Sequence, residues 1–309
     1  MKATVDPHLK VGSYLLSFLH LMNPNPGDLN LKDKVCIVTG SNSGIGKETA
    51  LALAEMGATV VTVVRNKESG EKACSEIIEV SGNNSIDLMI CDLSSMKSIR
   101  RFAAEFKNKY DRLDVLINNA GVVISKRQLT IDGFEQTLAV NYLAPFLLTH
   151  ELLSVLKASA PSRVINLSSG LHKRAKLNLD DLQSESSYKS RNVYGSAKLM
   201  VVMHTYELAR RLKDTGIAVN VVLPGFVATN LGRSSGSLSS RLMFGMMKPF
   251  QLSPKEGAET SVYVASSSDI EGVTGKCFEK KVETESAEIS YDVELQKQLW
   301  DTTISLLGL

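Results

Sequence analysis

The sequence predicts an α/β fold, with one doubly wound domain built on a mostly parallel sheet of seven strands and with helices on both faces. Short runs rich in Val and Ile alternate with longer amphipathic stretches, a pattern typical of parallel strands joined by right-handed helical crossovers. The Val/Ile runs are continuously apolar, as expected for strands covered on both faces. The predicted strands are Val35–Thr39, Thr59–Val64, Ile86–Cys91, Val115–Asn118, Arg163–Leu167, Ala218–Leu223 and Lys276–Phe278. The amphipathic helical stretches include Gly46–Met56, Ser98–Tyr110, Phe134–Lys157 and Tyr194–Asp214.

The domain organisation is simple, because no linker-like composition and no internal repeat divides the chain of 309 residues. We predict an N-terminal extension over residues 1–30 and a single domain over residues 31–309. Near the C-terminus, apolar residues recur at helical spacing and predict a helix that packs on the core. These residues are Leu295, Leu299, Trp300 and Ile304.

Composition excludes several classes of function. Hydrophobic residues make up 43% and charged residues 22% of the chain, and the formal net charge is +2. This charge is too small for a nucleic-acid-binding field, and no basic stretch carries interleaved stacking aromatics. The four cysteines are scattered without the paired spacing of a metal site or a disulfide framework. We therefore predict no nucleic-acid partner, no metal, no disulfide and a cytoplasmic location.

The N-terminal stretch Val11–Met22 (VGSYLLSFLHLM) has two interpretations. It is shorter than the roughly 20 apolar residues that span a bilayer, and it lacks the basic lead-in and cleavage site of a signal peptide. It could be a helix packed on the surface of its own domain. It could instead lie in the interface of a membrane and anchor the protein there.

A glycine-rich turn follows the first strand and leads directly into a helix. Glycines at this place allow a sharp turn and the close approach of a pyrophosphate, whose charge the helix N-terminus stabilises. The strand and helix on either side make a dinucleotide-binding Rossmann domain a stronger interpretation than a tight turn alone. The predicted phosphate-binding residues are Gly40, Ser41, Asn42, Ser43, Gly44, Ile45 and Gly46.

Two further strand ends carry candidate cofactor residues. Asp92, followed by Leu93, could accept a hydrogen bond from an adenine amine, cap the helix that begins near Ser94, or do both. The small residues after the fourth strand would let a ribose lie against the backbone. They are Asn119, Ala120 and Gly121.

The end of the second strand predicts which cofactor is used. An acidic residue there selects NAD by binding the ribose hydroxyls, whereas this chain has Val64 followed by Arg65. A guanidinium suits a 2′-phosphate, so NADP(H) is the predicted cofactor. The alternative is an exposed Arg65 that pairs with Glu68 and contributes little.

A phenol and an ammonium lie four residues apart, at Tyr194 and Lys198, on one face of a predicted helix. This pair follows the serines Ser168 and Ser169 and precedes the turn at Pro224. The ordered set of the glycine turn, the Asn-Asn-Ala-Gly run, the serines and Tyr-x-x-x-Lys resembles the short-chain dehydrogenase/reductase family from about residue 31 to residue 278. Two segments are similar to its retinol-dehydrogenase-like branch: Val64-Arg65-Asn66 and Asp181-Leu182-Gln183-Ser184-Glu185.

The resemblance implies roles for the matching residues. Tyr194 would be the acid/base, Lys198 would bind the nicotinamide ribose and lower the tyrosine pKa, and Ser169 would polarise the substrate oxygen. Asn141 would hold a proton-relay water. Ser168 remains an alternative to Ser169. In the turn after the sixth strand, Thr229 would contact the nicotinamide carboxamide, and Pro224, Gly225 and Val227 would also bind the cofactor.

The expected reaction is hydride transfer between NADP(H) and an alcohol or carbonyl compound, with reduction of a lipophilic, retinal-like aldehyde or ketone favoured. A Met-rich apolar segment near residues 230–250 would cover the substrate, although packing on the chain's own core explains it almost as well. The alternatives are oxidation of a steroid, polyprenol or other lipophilic alcohol, and a cofactor-sensing regulator without catalysis. Homo-oligomerisation is left open.

Overall fold

A computed structural model describes residues 30–227 and 251–309. In that part of the chain, eight strands form one sheet in the order β3-β2-β1-β4-β5-β6-β7-β8. The first seven strands are parallel and the last is antiparallel. The strands are β1 Val35–Thr39, β2 Thr59–Val64, β3 Ile86–Ile90, β4 Val115–Asn118, β5 Ser162–Leu167, β6 Ile217–Leu223, β7 Cys277–Glu279 and β8 Val282–Glu283.

The sheet confirms the predicted fold class and corrects the predicted strand count. The eighth strand has two residues and pairs with β7 through a tight turn at Lys280 and Lys281, which have φ angles of 52° and 64°. Positive φ at both central residues is the geometry of the turns that favour hairpins, and those turns usually contain Asn or Gly. The two lysines therefore carried no turn signal in the sequence.

The helices cover both faces of the sheet. They are α1 Gly44–Glu55, α2 Lys67–Ser81, α3 Met96–Lys109, α4 Ala144–Glu151, α5 Leu153–Ala158, α6 Ser190–Arg211, α7 Pro254–Ser266 and α8 Val293–Leu307. One hydrophobic core joins the sheet to α3, α4, α6 and α8, and a second joins it to α1, α2 and α7. Side chains of β1 alternate between the two cores, with Ile37 in the first and Cys36 and Val38 in the second. This alternation explains why the strand is apolar throughout.

The predicted helix over Phe134–Lys157 is wrong as a single element. A short helical turn at Gln136–Leu138 leads into a π-helical segment at Ala139–Leu143, and α4 and α5 follow as separate helices. Pro145 lies at the beginning of α4 and has no N–H to donate to the carbonyl of Asn141 four residues earlier. The regular α-helical ladder is therefore interrupted at Asn141, and π segments of this kind are frequent at functional sites.

The C-terminal apolar stripe packs as predicted. Leu299 is 1% exposed in α8, and the Trp300 ring stacks on His204 of α6 with centroids 5.5 Å apart. The hydroxyls of Thr303 and Tyr142 are hydrogen-bonded at 2.7 Å. Helix α8 thus forms an outer layer on α6, which explains why α6 is buried on nearly every side from Val193 to Ala209.

The strand order creates a crevice at the carboxyl edge of the sheet. Strand β1 pairs with β2 on one side and with β4 on the other. The chain therefore runs outward from β1 through β2 and β3, and then crosses to β4 on the other side of β1. Ligands of open α/β sheets bind at this switch point. The glycine turn after β1 and the Asn-Asn-Ala-Gly run after β4 both lie there.

Three predicted features fall outside the described residues: the 11–22 segment, Thr229 and the 230–250 segment. All four cysteines are buried free thiols. Among the helices that can be described, none is long and apolar enough to cross a membrane. Within residues 30–227 and 251–309, no group of three or more His, Cys, Asp or Glu side chains is arranged to hold a metal ion.

Candidate active site

The glycine turn packs tightly against the end of β4. Gly40 and Gly44 have φ angles of 68° and 58°, which favour glycine. A Cβ atom on Gly46 would lie 2.4 Å from the Gly40 carbonyl oxygen and 2.4 Å from the side-chain nitrogen of Asn119. The glycines therefore let the beginning of α1 and the end of β4 approach more closely than any side chain would allow.

The N-terminus of α1 has features that suit an anion. Its N-cap residue, Ser43, makes no side-chain capping hydrogen bond, and the first turn contains no acidic residue. The first N–H groups of a helix have no partner within the helix, and the helix dipole is positive at that end. Asn42 and Ser43 are exposed at the mouth of the turn, whereas Ser41 is buried and its hydroxyl makes no hydrogen bond among the described residues. This arrangement fits the pyrophosphate of a dinucleotide.

Thr39, which the sequence analysis did not single out, holds the two loops together. Its hydroxyl accepts the backbone N–H groups of Asn119 and Ala120, each at 3.0 Å, and donates to the Ile117 carbonyl at 3.3 Å. The side-chain amide of Asn119 donates to the Thr39 carbonyl at 2.7 Å. A buried threonine directly before Gly40 was the available sequence signal, but its bonds cross about eighty residues of chain.

The dinucleotide loops and the Tyr-x-x-x-Lys helix meet at Gly121. A Cβ atom on Gly121 would lie 2.8 Å from the side-chain oxygen of Asn141 and 3.7 Å from Lys198 Nζ. The glycine leaves room for a ribose between the backbone and the ammonium. Asn119, Ala120 and Gly121 are partly exposed at this edge, as ribose contact requires.

Helix α6 carries Tyr194 and Lys198, and the turn after β5 brings Ser169 to them. The Ser169 hydroxyl lies close enough to the Tyr194 phenol to act on it and lower its pKa. Lys198 Nζ lies 5.8 Å from the centroid of the Tyr194 ring and donates to the Leu167 carbonyl at 2.8 Å. The three side chains that the resemblance implies for catalysis are therefore brought together.

The two serines at the end of β5 have different surroundings. The Ser168 hydroxyl is buried and donates to the backbone carbonyl of Lys198 at 2.8 Å. Ser169 is partly exposed and faces Tyr194. Only Ser169 is thus oriented toward the phenol, and Ser168 anchors β5 to α6.

Burial controls the protonation of the pair. Burial raises the pKa of Tyr194 to about 12, although the Ser169 hydrogen bond acts in the opposite direction. Burial lowers the pKa of Lys198 to about 8. The Tyr194 phenol is therefore protonated near neutral pH.

Asn141 lies in the π-helical segment, and its side chain is committed to the protein. Its amide nitrogen donates to the carbonyls of Val122 and Thr137 at 2.9 Å and 2.8 Å, and its oxygen accepts the Val122 N–H at 3.1 Å. These bonds clamp the chain just after Gly121. The relay water that the resemblance implies for Asn141 stays a prediction.

The residues predicted to bind the adenosine end follow neighbouring strands. Val64 pairs with Ile90 at the ends of β2 and β3, so Arg65 and Asp92 emerge at the same edge. Arg65 is exposed and forms no ion pair among the residues described, so the alternative pairing with Glu68 is not observed.

Asp92 does not cap the helix that follows it. Its carboxylate accepts from the N–H and hydroxyl of Ser94 at 2.9 Å and 2.7 Å, whereas Ser95 is the N-cap of α3. Asp92 thus forms a local turn. Helix α3 begins at Met96, two residues after Ser94, near which the helix was predicted to begin. Leu93, next to it, packs against the first hydrophobic core and is partly buried.

The turn after β6 reaches the glycine loop. Gly225 has a φ angle of 80°, and Val227 forms a β-bridge with Leu252. A Cβ atom on Gly257 of α7 would lie 2.6 Å from Val227 and 3.2 Å from Ile45, so these residues are close neighbours. Pro224, Gly225 and Val227 therefore border the same crevice as the beginning of α1.

The model of the short chain dehydrogenase family matches residues 34–238 of this chain. This chain belongs to the short-chain dehydrogenase family. The enzyme is 40% identical to retinol dehydrogenase 14 from Homo sapiens over 291 residues, which cover 89% of this chain and 87% of that protein. It is 41% identical to retinol dehydrogenase 12 from Bos taurus over 304 residues, 95% of this chain and 96% of that protein.

Solved structures agree with this family assignment. An uncharacterized protein from Mycobacterium paratuberculosis is similar with a TM-score of 0.74 and 28% identity, over 92% of this chain and 97% of that one. The Pseudomonas aeruginosa RhlG/NADP active-site complex is similar with a TM-score of 0.65 and 25% identity, over 81% of this chain and 95% of that one. The chain is thus an oxidoreductase of a family that binds a nicotinamide cofactor.

Proposed function

We propose that this short-chain dehydrogenase is an NADP(H)-dependent reductase of lipophilic aldehydes or ketones, with a retinal-like aldehyde as substrate class. The observation that carries the proposal is the group formed by Tyr194, Ser169 and Lys198 beside the dinucleotide crevice at Gly121. The names of the retinol dehydrogenases at about 40% identity support the substrate class.

The geometry supports a division of labour at the carbonyl. When bound, the nicotinamide supplies the hydride that reaches the carbonyl carbon. Ser169 donates a hydrogen bond to the carbonyl oxygen and stabilises its developing negative charge. Tyr194 gives its phenolic proton to that oxygen, so that the alcohol leaves neutral.

The protonation of Tyr194 favours the reductive direction. Because burial raises the pKa of Tyr194 to about 12, the proton donor for reduction is already in place near neutral pH. Oxidation of an alcohol would first require the phenolate, which this buried site disfavours. Lys198 is buried next to Gly121, where its ammonium can bind the hydroxyls of the nicotinamide ribose.

The direct test is consumption of NADPH by the purified full-length enzyme, followed by its near-ultraviolet absorbance with a panel of lipophilic and water-soluble aldehydes. Tyr194→Phe removes only the transferable proton, so its turnover should fall at least about 10²-fold, a typical contribution of acid–base catalysis. Its NADPH affinity should stay close to that of the wild type. A wild type that binds NADPH but reduces nothing would favour a cofactor-sensing regulator, and activity confined to alcohols with NADP⁺ would favour the oxidative alternative.

Arg65 supports the choice of NADP(H). It is exposed beside the crevice, and Val64 before it supplies no carboxylate to repel a 2′-phosphate. We expect a preference for NADP(H) over NAD(H) of about one to two orders of magnitude, equivalent to roughly 1.4–2.8 kcal/mol. Arg65→Ala should weaken binding of NADPH but not of NADH, and Val64→Asp should invert the preference. Lys67→Ala, at an exposed neighbouring lysine, is the control. Equal losses for both cofactors in Arg65→Ala would refute the phosphate contact.

Membrane contact through residues 11–22 and homo-oligomerisation are further parts of the proposal. The apolar stretch suits an interfacial anchor that would bring the enzyme to lipophilic substrates. Sedimentation with liposomes should recover the full-length protein in the pellet and the protein without residues 1–22 in the supernatant. Full-length protein that never pellets would refute the anchor, and sedimentation velocity on the same sample measures the oligomeric state.

A further inference from the structure

His172 lies in a buried position directly after the proposed catalytic serine. It belongs to a short 3₁₀ turn, Gly170–Arg174, and its side chain is fully buried. Its Nδ1 lies 2.6 Å from the backbone carbonyl oxygen of Ser169. Its Nε2 accepts the backbone N–H of Ala287 at 3.2 Å. Both ring nitrogens therefore have partners, of which one lies three residues before His172 and the other 115 residues after it.

The two partners define the state of the ring. A backbone N–H can only donate, so Nε2 carries no proton and Nδ1 holds the proton that it donates to the Ser169 carbonyl. Protonating Nε2 would bring two donors face to face at Ala287. Burial lowers the pKa of His172 and Lys173 acts in the same direction, whereas the hydrogen bond to the Ser169 carbonyl and the charge of Glu279 oppose them. The neutral ring with the proton on Nδ1 is therefore the stable form.

The Ala287 side of this connection is anchored to the catalytic helix. The Ser286 hydroxyl is hydrogen-bonded to the hydroxyls of Tyr206 and Ser290, each at 2.7 Å. The Ser290 hydroxyl donates to the Ala287 carbonyl at 2.5 Å. Tyr206 lies on α6 three turns after Tyr194, so His172 connects Ser169 to a segment that is attached to the helix of the phenol.

Ser169 is otherwise held by bonds within its own turn: its carbonyl accepts the backbone N–H of His172 at 3.0 Å, and its hydroxyl accepts the backbone N–H of Leu171 at 3.3 Å. It is followed by Gly170, at which a Cβ would contact nothing within 4 Å, and by a turn of five residues. A hydrogen-bond donor is effective when it lies about 2.7–3.1 Å from the developing oxyanion, and a displacement of about 1 Å can cost about 10²-fold in rate. We propose that His172 is a positioning residue that holds Ser169 in register with Tyr194 by bridging it to the C-terminal segment. This inference rests on the proposed reductase function.

Two substitutions separate positioning from folding. His172→Phe keeps the ring but removes both hydrogen bonds. His172→Asn keeps a donor near the place of Nδ1 and loses only the bond to Ala287. We expect kcat to fall about 10- to 100-fold in His172→Phe, within the range of losing one oxyanion donor. It should fall by a similar factor in His172→Asn, because a donor to Ser169 that is no longer bonded to Ala287 does not bridge the two segments. The KM and Kd for NADPH should not change, because no cofactor contact is altered. His150→Phe, at an exposed histidine of α4, should have no effect.

A double-mutant cycle with Ser169→Ala provides the decisive readout. If His172 acts only through Ser169, His172→Phe should lower kcat by less than about twofold once the serine hydroxyl is gone. Additive losses, or a loss of NADPH binding in His172→Phe, would overturn the inference. If His172→Phe does not fold, His172→Gln replaces it in the cycle, since its longer amide reaches Ala287 but not Ser169.

The proposed function and the inference fail in different ways. Absence of wild-type turnover, or full activity in Tyr194→Phe, would sink the proposed function and the inference with it. An active wild type, an inactive Tyr194→Phe and an additive cycle would leave the function standing and refute His172 alone.

Discussion

Replacing Lys198 with Met should stabilise the enzyme while abolishing its activity. Burial lowers the pKa of Lys198 from 10.5 to about 8. At about 1.36 kcal/mol per pKa unit, this difference corresponds to a cost of about 3 kcal/mol for holding the ammonium in the folded protein at pH 7. Met has a similar volume and no charge, but it leaves the Leu167 carbonyl, now bonded at 2.8 Å, without a donor. That loss costs about 1–3 kcal/mol.

The net effect is a gain of about 0–2 kcal/mol, which for a chain of 309 residues corresponds to an increase in Tm of up to about 3 °C. The titration of Lys198 also makes the stability of the wild type depend on pH. Because the folded pKa lies below the unfolded value, the folded protein binds fewer protons between pH 8 and 10.5, and wild-type stability increases with pH across that window. The advantage of Lys198→Met should therefore be largest at pH 7 and shrink toward pH 10.

The assay is thermal unfolding without added cofactor at several pH values, combined with NADPH binding and turnover. Turnover should fall on the order of 10²-fold or more, and NADPH should bind more weakly, because the ammonium is gone. Lys157→Met, at an exposed lysine, should change the Tm by no more than about 2 °C at any pH. A decrease in the Tm of Lys198→Met at pH 7, or a difference that does not vary with pH, would refute the reasoning.

Three further predictions concern the serines, the glycine turn and the protein interior. Ser169→Ala should lower turnover on the order of 10²-fold and more than Ser168→Ala does, because only Ser169 faces the phenol; the reverse order in steady-state kinetics would assign catalysis to Ser168. Gly46→Ala should weaken NADPH binding and lower the Tm, because its Cβ would lie 2.4 Å from the Asn119 amide; unchanged binding by fluorescence titration would contradict the close packing. Asp114→Ala should destabilise the fold by about 1–3 kcal/mol in urea unfolding, because its carboxylate accepts four hydrogen bonds at 2.7–3.0 Å, including that of the buried Val35 N–H; a loss below about 1 kcal/mol would show that its partners find water instead.

Much of the fold follows from local patterns in the sequence. The predicted strands Val35–Thr39, Thr59–Val64 and Val115–Asn118 coincide with β1, β2 and β4. Apolar runs between turn residues define such strands because both of their faces must be buried. The four-residue spacing of Tyr194 and Lys198 likewise places them on one helix face whatever surrounds the helix. These features depend on residues close together in the chain.

The remaining features depend on contacts between distant parts of the chain. In the sequence, either Asp92 or Ser95 could be the N-cap of α3. Only the packed loop shows that Ser95 accepts the helix N–H, whereas Asp92 accepts from Ser94. The π-helical segment at Asn141 forms where its amide reaches Val122, on the far side of a loop. No local pattern reports such a partner, because the distance along the chain does not indicate the distance in space.

Ser168 and Ser169 illustrate the difference most directly. Their chemistry is the same, so the sequence predicts a catalytic serine at the end of β5 without distinguishing the two. In an extended backbone, successive side chains point to opposite sides. Which side holds the phenol depends on how α6 packs against β5, and there the Ser168 hydroxyl meets the Lys198 carbonyl while Ser169 meets Tyr194. The same packing of α6 against the sheet buries Lys198. This burial lowers the pKa of Lys198 and makes its ammonium costly to hold in the folded protein.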